Sequence, residues 1–153
     1  MRSGLDRAEL PFIRDDGADE KPRVPQAMTI IRAGSAIARG PAAIASGPFW
    51  AETLIASAVD GEPTVVRATF EPGAATHWHS HPLGQVLYVL TGVGRVQREG
   101  GAVEEVRSGD CVWFAAGERH WHGASPDSLF AYVSIQGIRD GTAAHWMEPV
   151  TGG

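Results

Sequence analysis

At 153 residues and 43% hydrophobic content, the chain can bury most of its apolar surface within one domain, and its 19 glycines and 10 prolines suit a turn-rich all-β fold. A formal net charge of -5 with no basic run argues against nucleic acid and anionic membrane as partners, and no apolar run approaches the roughly 20 residues of a membrane span. The single cysteine, Cys111, excludes an internal disulfide and makes a reducing cytoplasm the default location. Within its apolar run it reads as a small core residue, not a nucleophile.

Residues 1–25 form a flexible N-terminal extension in this reading, and residues 26–153 form the domain. The extension mixes charges such as Arg14, Asp15, Asp16, Glu20 and Lys21 with Pro11, Pro22 and Pro25, and it lacks the apolar stretch of a signal peptide. An alternative is an arm laid across a partner subunit, with Leu10, Phe12 and Ile13 as anchors. Strands are predicted over 28–32, 50–59 and 64–70. A turn at Glu71-Pro72-Gly73 then leads into the stretch His77-Trp78-His79-Ser80-His81. After Pro82-Leu83-Gly84, a strand over 85–91 precedes Gly92. A hairpin over 94–99 and 102–107 turns at Gly100-Gly101, a pair suited to positive φ. Strands over 111–114, 120–123, 128–136 and 144–147 complete about ten, with no convincing helix. Turn signals at that frequency fit a sandwich or barrel.

Five of the six histidines fall in two short clusters, at 77, 79, 81 and at 120, 122. Side chains two apart in a strand share a face, roughly 6.6 Å apart. His79 and His81 can therefore lean toward one ion, and Gln85 opens a strand able to fold back beside them. Two close imidazoles and a distant one make the pattern of a metal site whose ligands come from different strands.

These residues also carry a family resemblance. The first cupin motif, G-x5-H-x-H-x3,4-E-x6-G, is met by Gly73, His79, His81, Gln85 and Gly92, with Gln in the Glu position. The second, G-x5-P-x-G-x2-H-x3-N, is met by Gly109, Gly117 and His120, with Ala115 and Ala124 in the Pro and Asn positions. The segments HPLGQ, GDCVWF and GERHWHGA resemble the small single-domain cupins that include manganese-dependent bacterial hydroxynitrile lyases. The resemblance runs from about Ile30 to Thr151. It implies a double-stranded β-helix, or jelly-roll barrel, with the metal inside and a homodimer formed through the sheets.

The ligand set taken from these matches is His79, His81, Gln85 and His120, holding one divalent transition metal ion per chain. Manganese is the first expectation, with Fe, Zn, Ni or Co as alternatives. Four neutral ligands leave the ion its full charge, which favours anionic ligands and acidifies a bound hydroxyl. The other reading of Gln85 is a polar residue bonding a ligand histidine from outside. His77 and His122 share parity with ligands and read as proton-transfer groups or as residues orienting a ligand, the second role being favoured for His122. His145 reads as structural. Tyr132 stands where the lyases place a proton-handling histidine, and Gln136 is retained as in that family. The residues 65–70, Val89, Trp113, Phe114 and Phe130 read chiefly as core, with some lining a pocket. The function expected is lyase-type acid–base chemistry on a small-molecule substrate. An Fe-dependent dioxygenase and a non-catalytic small-molecule-binding cupin are the alternatives.

Overall fold

Short apolar runs bounded by turn residues can become strands only where a neighbouring edge is free to accept their backbone hydrogen bonds. The computed structural model describes residues 20–152. Among these residues there are twelve strands and no helix: β1 (Ile37–Arg39), β2 (Ala45–Ser46), β3 (Phe49–Ile55), β4 (Pro63–Phe70), β5 (Ala75–Thr76), β6 (His79–Ser80), β7 (Gln85–Arg98), β8 (Glu104–Arg107), β9 (Cys111–Phe114), β10 (His120–Ala124), β11 (Phe130–Gly137) and β12 (His145–Trp146).

All pairings are antiparallel. One sheet runs β1-β3-β4-β11-β7-β9. The other runs β2-β5-β10-β7-β8, with β6 bridging β10 and β12. The all-β expectation holds, and the architecture is the jelly-roll barrel of a double-stranded β-helix. Its core lies between the two sheets and includes Phe49, Phe70, Leu87, Val89, Val96, Phe114, Phe130 and Tyr132. Phe49 stacks on Phe70 at 4.7 Å between ring centroids, and Tyr132 lies 5.3 Å from Phe130.

Three expectations change here. The strand over 28–32 does not form, and Met28 is 92% exposed. The β3 edge it would need is taken by β1, with Ile37 opposite Glu52 and Arg39 opposite Trp50. The Glu52 carboxylate, paired with Arg67, also accepts from the Gly34 amide at 2.8 Å, fixing the approach to β1. Cys111 is exposed, because it faces outward on β9 together with Trp113, which is 60% exposed. Residues 1–19, with Leu10, Phe12 and Ile13, lie outside the described residues. Pro22 and Val24 are tied to the barrel, through Ala58 N to Pro22 O at 2.8 Å and Val24 N to the Glu62 carboxylate at 2.9 Å.

The third change is that the strands expected on either side of Gly92 are one strand, β7, shared by both sheets. Its inward positions are Gln85, Leu87 and Val89 in the first half, then Gly94 and Val96 in the second. That slip of one residue carries the chain from one sheet to the other. Gly92 makes the corner, with φ at 81° and the Leu129 carbonyl oxygen where a Cβ would come within 1.8 Å of it. Gly92→Ala should therefore destabilise the fold well beyond the ~1–2 kcal/mol of a left-handed non-glycine residue. Gly100→Ala, with similar φ but nothing within 4 Å of the added Cβ, should cost only that strain. Chemical denaturation of the two variants checks the order.

Candidate metal centre

Register brings the first two imidazoles together. His79 on β6 is directly opposite His120 on β10, and their ring centroids are 4.3 Å apart. His81, two residues after His79, meets it edge-on at 5.0 Å and lies 5.4 Å from His120. The turn closed by Gly84 N to His81 O at 3.2 Å returns the chain into β7, whose first residue is Gln85. Its Oε1 crosses the barrel interior to stand 3.2 Å from His120 Nε2. All four side chains are buried.

Backbone carbonyls set the tautomers. Nδ1 of His79 lies 2.8 Å from His77 O, that of His81 2.7 Å from Ala143 O, and that of His120 2.8 Å from Glu118 O. A carbonyl can only accept, so each Nδ1 carries the proton and each Nε2 is a bare lone pair. Nε2 of His79 and of His81 has no hydrogen-bond partner. Gln85 spends its amide N–H on Gln136 Oε1 at 2.9 Å, which turns its own oxygen inward. Three nitrogen lone pairs and an amide oxygen thus share one buried space with no donor among them. Protonation does not relieve this near neutral pH. Burial pulls His79 well below the usual histidine range, assisted by the neighbouring His120 and His81, and it pulls His81 down and His120 to about 4. Such a donor set fits a divalent transition ion, which satisfies every lone pair at once.

A second trio overlaps this one. The nitrogens of His79, His120 and His122 all lie within 4.8 Å of one another. His122 differs in kind, because neither of its ring nitrogens has a partner and no carbonyl sets its tautomer. Burial holds it neutral, well below the ordinary range. Making no side-chain hydrogen bond, His122 holds no other imidazole through one.

The surroundings match known proteins. The cupin-domain family model matches residues 66–135. An (R)-mandelonitrile lyase from Granulicella tundricola is 49% identical over 125 residues, which is 81% of this chain and 95% of the lyase. The chain is a cupin. A cupin-like protein from Thermotoga maritima superposes with a TM-score of 0.70 at 35% identity, covering 81% of this cupin and 92% of that chain. A polyketide cyclase from Streptomyces resistomycificus shares the fold alone, at 17% identity and a TM-score of 0.65 over 82% of this cupin and 89% of that chain.

The other predicted residues take defined places in the cupin. His77 is buried as parity required, but β5 and β6 are separate strands, and what reaches the centre is its carbonyl. Tyr132 meets His122 edge-on at 5.0 Å, and burial raises its phenol further above its ordinary range, so it stays protonated at neutral pH and can donate a hydrogen bond. Gln136 bonds to Gln85. Two contacts had no signal in the histidine spacing. Phe114, beside Gln85 in register, stacks flat on His120 at 3.6 Å, and Trp146 lies 4.4 Å from His79. The segment carrying Trp146 is held by Met147 N to Trp78 O at 2.9 Å and by Glu148 with Arg119, which lies over the Trp78 ring. No described helix is long and apolar enough to cross a membrane.

Four buried imidazoles with lowered pKa values give a sign for pH dependence. Below the unfolded value of 6.5 the unfolded chain takes up protons that the folded chain refuses until about pH 4 for His120. Metal-free protein should therefore keep its melting temperature above pH 6.5 and lose it progressively from there toward pH 4. A melting series after chelation checks this, and His122→Phe should flatten the slope.

Proposed function

We propose that this cupin is a metal-dependent lyase that cleaves an α-hydroxynitrile to an aldehyde and cyanide, with His79, His81, Gln85 and His120 as ligands and manganese as the ion. One observation carries the metal reading: four acceptors face one another with no donor among them, three on imidazoles whose other nitrogen donates to a carbonyl. Such a bond from the other ring nitrogen accompanies almost every metal-bound histidine. His122 lacks it, which favours His81 over His122 as the third imidazole despite the tighter spacing of the other trio. The lyase identity over nearly the whole length of the relative supports the reaction.

A divalent ion at this place supplies Lewis acidity and makes a substrate hydroxyl easier to deprotonate. The protein must then accept that proton, and His122 has two unpartnered nitrogens, its ring 5.2 Å from that of His79 and 6.0 Å from that of His120. As the bond between the carbinol and nitrile carbons breaks, its electron pair leaves with cyanide, and the carbinol carbon becomes a carbonyl. His122 can return the proton to the departing anion, so that hydrogen cyanide is released. Tyr132 contributes a hydrogen-bond donor beside it. Phe70 and Phe114 set aromatic rings beside His122 and His120, an apolar setting in keeping with an aromatic substrate such as mandelonitrile.

Elemental analysis of protein purified without added metal should find about one transition ion per chain, and His79→Ala or His120→Ala should remove most of it. Undiminished metal in both variants would overturn the ligand assignment. With metal content matched, benzaldehyde release from mandelonitrile should be weak in the unmodified protein and higher in Tyr132→His. A positioned base is worth about 10² to 10⁴-fold, so even a partial gain should be visible. Strong activity that survives loss of both His77 and His122 would refute the proton route. No activity in either protein at full occupancy would favour the dioxygenase alternative, tested by oxygen uptake with iron bound, or the binding one.

A further inference from the structure

We propose that Thr64 and Gln136 are positioning residues that decide which end of the Gln85 amide faces the ion. The proposal rests on the ligand assignment above. Gln136 on β11 stands in register with Thr64 on β4 at one side and with Gln85 on β7 at the other. Three side chains on adjacent strands therefore form one line leading to the metal centre.

The direction of every bond along that line follows from its outer end. The Thr64 backbone carbonyl can only accept, and Gln136 Nε2 reaches it at 3.3 Å. The Thr64 hydroxyl donates its proton to Gln136 O at 3.3 Å, leaving a lone pair for the same Gln136 Nε2 at 2.6 Å. The carbonyl contact requires the amide nitrogen of Gln136 on the Thr64 side, and the hydroxyl, engaged with Gln136 O, is free to accept from it. Its Oε1 is then turned to Gln85 and takes the Gln85 amide N–H at 2.9 Å. Gln85 is left with only its oxygen to present, 3.2 Å from the His120 Nε2 lone pair.

That direction opposes what Gln85 would do alone. Without metal, a half-turn of its amide would place an N–H against His120 Nε2 and replace a contact between two acceptors with an ordinary hydrogen bond. The flipped amide would occupy the lone pair of His120 and present no oxygen, so it competes with metal binding at two ligands together. In the flipped state Gln85 Oε1 would face Gln136 Oε1, and Gln136 cannot turn to relieve this without setting its own Oε1 against the Thr64 carbonyl. The relay thereby keeps the empty site in the orientation that receives an ion.

The test measures metal affinity, by competing Mn(II) between the protein and a chromophoric chelator. Gln136→Leu keeps the volume but releases the amide, and it should weaken binding by about 10 to 100-fold. Thr64→Val should give a smaller loss in the same direction, since the Thr64 carbonyl remains, and Thr64→Ser should restore affinity. The deciding arm repeats Gln136→Leu in a Gln85→Glu background. A carboxylate presents oxygen whichever way it turns, so the loss there should shrink to within about twofold. An equal loss in both backgrounds would mean that Gln136 acts by packing and would overturn the proposal. Full affinity in Gln136→Leu, with Gln85→Leu weakened, would sink the relay while leaving Gln85 a ligand. Full affinity in Gln85→Leu would remove the ligand assignment itself, and the relay with it.

Discussion

Hydrogen-bond acceptors are not normally left facing one another inside a protein, because each forfeits its bond to water and gains nothing in return. Here three imidazole nitrogens and one amide oxygen do so. The arrangement is maintained from outside the centre. Carbonyls of His77, Glu118 and Ala143 hold the three Nδ1 protons, and Gln136 holds the Gln85 amide. The anchors of His79 and His120 lie only two residues before them, but those of His81 and Gln85 lie 62 and 51 residues away, so the barrel must be closed before all four side chains are aimed.

Closure depends on β7. By passing from one sheet into the other at Gly92, it places Gln85 at the end of the first sheet and the partners of β10 in the second. One continuous strand therefore sets the distance across which Gln85 and His120 meet. The aromatic residues add shape to this frame: Phe114 lies flat on His120, and Trp146 on the C-terminal strand covers His79. Burial by these rings keeps the imidazoles neutral, and neutral imidazoles are the form a metal needs.

The groups proposed to react are deployed differently from the proposed ligands. The histidines proposed as ligands are each fixed by a carbonyl, while His122 is left with both nitrogens free beside a phenol that stays protonated. A ring without an assigned partner is suited to taking and returning a proton. A ring already bonded at one nitrogen and facing an ion at the other is not.

Strand content, turn positions and the two histidine clusters were legible in the sequence, because alternation and glycine-bearing turns act over a few residues. The i, i+2 spacing of His79 and His81 sufficed to put both on one face, and the cupin motif matches picked out Gln85 and His120 across the intervening chain. Local pattern could not say that 28–32 would find no free edge, that Cys111 and Trp113 would face outward, or that β7 would change faces at Gly92. Nor could it give the direction of a hydrogen bond. Which nitrogen of His81 carries a proton depends on Ala143, and which end of Gln85 faces His120 depends on Thr64 through Gln136. Those partners are distant in sequence and become neighbours only when the sheets pair, so the residue types were fixed by the chain and their orientation by the tertiary structure.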